Sequence, residues 1–164
     1  MTRPAGGKPI AKRGRAAGRP SLDFANYLPY LINRVGFALV HNFTRDALAR
    51  NDLSIAMWRV LAVLSSNGEQ RQIDLSELTS IDASTLSRLV TRLVELELAT
   101  RHRSKKSSRE VVVELTPKGR GLVDRLIPVA QQLEATAIAG VPSRDLAIVR
   151  RSLRRMYDNM MKGG

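Results

Sequence analysis

The stretch from Ser80 to Leu98, SIDASTLSRLVTRLVELEL, constrains the fold more than any other. At about 100° per residue, Leu86, Leu89, Val90, Leu93 and Leu96 fall on one face of a helix, and Ser84, Arg88, Thr91, Arg92 and Glu95 on the opposite face. Such a helix buries a leucine stripe and turns hydroxyls and guanidiniums outward. Ser80 or Asp82 is available as its N-cap. Two strand-like runs follow at once, roughly Ala99–Arg103 and Glu110–Leu115, with SKKSSR between them as a hairpin loop.

Helical spacing predicts five further helices. Pro29 suits the first turn of one in which Leu31, Ile32, Val35, Leu39, Phe43, Ala47 and Leu48 recur to about Arg50. A second covers Ile55 to Ser66, capped by Ser54 and ended by Asn67-Gly68, and a short third covers Asp74 to Thr79 with Leu75 and Leu78 facing inward. Thr116-Pro117 opens another, apolar at Leu122, Val123, Leu126, Val129, Ala130 and Leu133, and Pro128 is expected to kink it. Val141-Pro142-Ser143 starts the last. Its Leu146, Val149, Leu153, Met156 and Met160 form a narrow seam suited to another helix. The expected fold is therefore mainly α with a small β-wing, a helix-turn-helix in which the helix from Asp74 supports and the helix from Ala83 projects.

Charge names the partner class. Lys and Arg number 27 against 15 Asp and Glu, a net charge of +12. Such a field attracts polyanions. Six of the cations (Arg3, Lys8, Lys12, Arg13, Arg15 and Arg19) stand in residues 1–20, with no acid among them and Gly and Pro throughout. That segment is expected to be a disordered basic tail, a flexible arm on DNA phosphates or a solubilising extension. It has no aromatic or leucine anchor for a membrane surface. No run approaches the ~20 apolar residues that cross a bilayer, and no signal-peptide core is visible, so the cytoplasm is the expected location.

Cysteine is absent, which excludes a thiolate nucleophile, a disulfide framework and a thiol switch. The two histidines, His41 and His102, lie in different segments, so a metal site is not expected. No nucleophile–base pair, carboxylate dyad or phosphate-cradling loop is visible, so neither an enzyme nor a cofactor is expected.

Double-stranded DNA is the expected partner. The major groove accepts one α-helix, and short hydroxyl side chains and arginines on its outer face reach phosphates and base edges. A basic wing then meets the backbone or the minor groove. The expected DNA-binding residues are Ser84, Thr85, Ser87, Arg88, Thr91 and Arg92 on the helix, and Arg103, Lys105, Lys106 and Arg109 in the wing. By itself SKKSSR reads as a solvated charge run; its place after that helix makes it a wing.

From Leu53 to Arg120 the chain resembles the core of the MarR family of bacterial winged-helix regulators. LSIAMWRVL, STLSRLVTRL and LTPKGR carry the resemblance, which extends from about Tyr27 to the C-terminus. It implies a homodimer: 21–50 and 117–164 as a helical dimerisation region, 51–116 as the DNA-binding winged helix-turn-helix. It also implies a repressor acting on a palindromic operator. Two departures stand out. Family wings commonly carry Asp-x-Arg; here Ser107 holds the acid's position, while Arg109 is kept. Glu97 stands where a Gly often follows the reading helix, which predicts a strained or altered helix end.

The resemblance further implies relief by a small aromatic or phenolic carboxylate, or its thioester. Tyr30, Arg34, Phe37, His41 and Trp58 are the expected effector-binding residues, with Arg34 and His41 sharing one helix face. Trp58 and Phe37 also suit the core, and Arg34 also suits an ion pair at a dimer interface. The alternative function is an architectural DNA-binding protein of low specificity with no effector.

Overall fold

The computed structural model describes residues 20–103 and 110–162. The expected tail before Pro20 and the wing loop with Lys105, Lys106, Ser107 and Arg109 lie outside the described residues.

The first helix, α1, spans Leu28–Phe43, with Pro29 in its first turn. The regular helix expected to reach Arg50 stops earlier. A π turn over Thr44–Leu48 and a 3-10 turn over Ala49–Asn51 replace its end. A regular helix would set Phe43 and Leu48 about 140° apart. The under-wound turn lets Phe43, Ala47 and Leu48 all enter the core.

Helix α2 spans Ile55–Asn67, and the Ser54 hydroxyl accepts the Met57 amide at 3.2 Å, as the sequence predicts. A two-residue strand follows, β1 (Gln70–Arg71), which the sequence reading did not include. Two residues carry no alternation to detect. It pairs antiparallel with β3, so α3 begins at Gln72 rather than Asp74 and ends at Thr79. Leu75 is fully buried, whereas Leu78, expected to face inward, is 52% exposed.

Helix α4 spans Ala83–Glu95, strand β2 Ala99–Arg103 and strand β3 Val111–Leu115. The sheet order is β1-β3-β2, with Arg101 opposite Val113 and His102 opposite Val112. Thr116 caps α5 (Pro117–Ala137), which continues through Pro128, and α6 spans Ser143–Met161.

Three helical segments close alike without glycine. Asp52, Ser80 and Glu97 have φ of 53°, 54° and 60°. Each donates its amide three residues back, and the next residue donates five back, the paired bonds of a Schellman end. At Glu97 the donors are Glu97 to Val94 (2.9 Å) and Leu98 to Leu93 (2.9 Å). The altered end expected there is present.

The core forms where α2, α3, α4 and α5 meet the sheet. Leu61, Leu64, Leu75, Leu86, Leu93 and Val113 are completely buried. Burial contributes roughly 1.5–3 kcal/mol for each such leucine. In α4 the predicted stripe points inward: Leu86, Val90 and Leu93 are buried, Leu89 and Leu96 partly so. By contrast no residue of α6 is buried, and Leu28, Leu31, Ile32, Val35 and Phe37 of α1 are exposed.

Candidate nucleic-acid interface and ligand cavity

The outer face of α4 begins at its cap. Asp82 Oδ1 accepts the Thr85 amide at 2.9 Å and the Ser84 hydroxyl at 2.7 Å. The Ser84 hydroxyl and the Thr85 amide hold the Asp82 carboxyl well below the usual carboxylate range. Ser84 thus spends its proton on the cap and offers only its lone pairs outward. One turn on, Arg88 is exposed and makes a long 3.4 Å contact to the Thr85 hydroxyl. Thr91 donates to the Ser87 carbonyl at 3.0 Å, and Arg92 pairs with Glu95 at 3.1 Å. Ser84, Arg88, Thr91 and Arg92 are exposed, while Thr85 and Ser87 are half-buried. Arg88 is therefore the guanidinium on this face without an acidic partner among the described residues.

The wing extends this face. In β2, Arg101 and Arg103 share with Ala99 the side of the sheet that meets α4, and Arg101 Nη1 reaches Thr91 Oγ1 at 3.4 Å. Arg101 was missed by the sequence reading. The signal was present: strand alternation places residues i and i+2 on one side, so choosing Arg103 implied Arg101. The wing base is braced by Arg71 of β1, which holds Asp74 through two 2.7 Å bonds and reaches Glu110 at 3.2 Å. On the other side of the wing Thr100 and His102 both approach Glu114. The end of α4 is tied to α5, where Lys118 meets Glu97 at 2.9 Å and the Thr116 hydroxyl donates to the Glu97 carbonyl at 2.6 Å. The Lys118 ammonium lowers the Glu97 carboxyl.

The five expected effector residues are not brought together. Arg34 lies over the Tyr30 ring at 5.5 Å, and Tyr30 packs edge-on to Phe24. Phe37 is 71% exposed, so it is not a core residue of the single chain. It stacks on His41 at 5.9 Å, and both line a shallow pocket of about 340 Å³ beside Thr44 and Arg45. Trp58 packs edge-on to Phe43 at 5.2 Å and lines a different, apolar cavity of about 420 Å³. That cavity lies between α1, α2, α5 and α6, among Val35, Leu39, Ile55, Leu133, Leu146 and Val149. Its polar rim is Glu134 and Arg150, paired at 2.8 Å. Among the described residues no cluster of three or more His, Asp or Glu could hold a metal ion, and no helix is long and apolar enough to cross a membrane.

Comparison with known proteins agrees with this architecture. The MarR family model matches residues 51–110. The transcriptional repressor NicR of Pseudomonas putida is 30% identical over 104 residues, 63% of this chain and 66% of that protein. The match thus spans about two thirds of NicR. The repressor IacR of Pseudomonas putida is 27% identical over 153 residues, 92% of this chain and 91% of that protein. Among solved structures, Bordetella bronchiseptica BpsR, whose DNA binding is regulated by 6-hydroxynicotinic acid, superposes with a TM-score of 0.70 at 26% identity, covering 79% of this chain and 98% of BpsR. A leucine-striped helix after a tight turn, a three-stranded wing behind it and these matches lead to one identification: the chain belongs to the MarR family, with its winged helix-turn-helix fold.

Proposed function

We propose that the protein is a homodimeric, sequence-specific DNA-binding repressor that reads a palindromic operator and is released by a small aromatic acid. The observation that carries the DNA reading is the outer face of α4. Its hydroxyls and guanidiniums project from a helix whose other face is buried, beside a wing strand bearing Arg101 and Arg103. Short polar side chains and arginine on a projecting helix are what the major groove accepts. Ser84, Thr85, Ser87, Arg88, Thr91, Arg92, Arg101 and Arg103 supply the contacts, with Lys105, Lys106 and Arg109 in the wing loop. Pairing of two copies through α1, α5 and α6 is supported by the apolar surface that one chain leaves uncovered there.

The effector reading rests on the apolar cavity. A volume of about 420 Å³ suits a single aromatic ring. Trp58 offers a ring face, and Arg150 meets the carboxylate by exchanging Glu134 for it. The effector proposed for this chain is of the same chemical class as the 6-hydroxynicotinic acid that regulates BpsR.

Selection from randomised duplexes tests the DNA reading. It should enrich an inverted repeat whose half-sites are centred about one helical turn, ~10 base pairs, apart. Enrichment of a single half-site, or of nothing, contradicts it.

A further inference from the structure

Helix α6 carries a second charged surface that the α4 face and wing do not account for. At about 100° per residue, Arg144, Arg151, Arg155 and Lys162 fall within about 40° of one another, on the side opposite the Leu146–Met160 seam, with Arg154 flanking them. All five are exposed. Arg144 is paired with Asp145 at 3.5 Å. Arg151, Arg154, Arg155 and Lys162 meet no acidic side chain among the described residues. Asp158 shares this side and reduces its charge by one.

A separate contact locates the C-terminal end of α6, through Tyr157. At about 100° per residue, Tyr157 lies roughly 140° around the helix from the Arg144–Lys162 row and roughly 60° from Arg154. The Tyr157 hydroxyl lies 3.0 Å from the Ser80 hydroxyl. Ser80 stands two residues before Asp82, the cap of α4. The N-terminal turn of such a helix is the part that enters the groove. The C-terminal end of α6 is therefore held beside the groove-entering end of α4. At 1.5 Å per residue, Arg154 and Arg155 lie about 3–5 Å along the axis from Tyr157, Lys162 about 8 Å and Arg144 about 20 Å.

We infer that Arg151, Arg154, Arg155 and Lys162 form a second phosphate-contacting surface, which takes the sugar–phosphate backbone of the same duplex that α4 reads. The inference rests on the DNA reading of α4 and adds a contact to it. Unpaired guanidiniums on one side of a helix complement a row of phosphates, and they fix register without reading sequence.

Salt dependence tests it. A fluorescent random-sequence duplex is titrated with the full chain between about 50 and 200 mM salt; each lost phosphate contact lowers the log–log slope by about 0.9. The Arg154→Gln/Arg155→Gln double variant keeps exposed polar stems and should melt like the wild type. Each substitution occurs twice in a dimer, so its slope should fall by at least ~2. Arg144→Gln, far along the same side, should change the slope by less than ~0.5. Lys162→Gln alone should lower it in the same direction as the double variant. An unchanged slope in the double variant overturns the inference, as does an equal loss per charge with Arg144→Gln. Failure of the wild type to bind any duplex removes the DNA reading itself.

Discussion

Gly119→Ala should be among the most damaging single-methyl changes in this chain. A Cβ built at Gly119 would lie 1.9 Å from the Leu98 carbonyl oxygen and 2.9 Å from its carbon, where real Cβ contacts below 3.0 Å essentially do not occur. The obstacle is backbone, so no rotamer change relieves it. Helix α5 and the Leu98 turn must separate by at least 1.1 Å. The bonds that join them span that gap: the Thr116 amide to the Leu98 carbonyl at 3.2 Å and the Thr116 hydroxyl to the Glu97 carbonyl at 2.6 Å. Overpacking costs about 1–3 kcal/mol and a lost hydrogen bond about 1 more, so ~3 kcal/mol is expected. For a chain of this size that lowers Tm by roughly 6–12 °C. Gly121→Ala is the control two residues along. Its Cβ meets only the flexible Arg125 Nη1 at 3.8 Å. Alanine's higher helix propensity should leave it as stable as the wild type or stabilise it by up to ~1 kcal/mol. Thermal unfolding at one protein concentration compares the two. A Gly119→Ala Tm within ~2 °C of wild type would refute the close approach of α5 to Leu98.

Three further outcomes follow from the α4 face and its ion pairs. Arg88→Ala should weaken operator binding by about 1–3 kcal/mol and relax preference at one base pair, read by titrating single-base variants; equal weakening on every sequence would make Arg88 a phosphate contact. Glu95→Gln should tighten binding by up to ~tenfold, since it frees Arg92 and removes an anion near phosphate; weaker binding would show that Glu95 itself contacts the duplex. On acidification, Asp82, Asp74 and Glu97 all have carboxyls held below their ordinary values, through Ser84 and Thr85, Arg71 and Lys118. Depressed carboxylates contribute stability above their unfolded pKa, about 4, and lose it as pH falls through the folded value. Melting should therefore be flat from neutral pH to about 5 and fall below ~4, and a decline starting near 6 would point to histidine instead.

The helix content and the buried side of α4 were legible because each rests on local periodicity. Leu86, Val90 and Leu93 repeat at helical spacing, and Ser54 and Thr116 are strong cap residues. The altered end at Glu97 was legible from one residue, since a non-glycine in the left-handed region must be supported by its neighbours. What was not legible depends on tertiary contact. Strand β1 has two residues and exists only because β3 lies beside it. The π turn after Phe43 answers to the core rather than to its own sequence. Leu78 has the right spacing to face inward, yet about half of it stays exposed in the single chain. Arg34 and His41 share a helix face, but Tyr30 and Phe37 each take one of them. Arg150 lies 92 positions from Trp58 in sequence, so no local pattern could join them at one cavity.

The central claim is that α4 reads sequence rather than merely attracting phosphate. Competition at physiological salt between the duplex recovered by selection and random DNA measures this directly. A regulator of this kind should hold its selected site ~10³-fold or more above background. A ratio below about tenfold would contradict the account and leave the +12 charge as the main source of binding, the behaviour of an architectural protein.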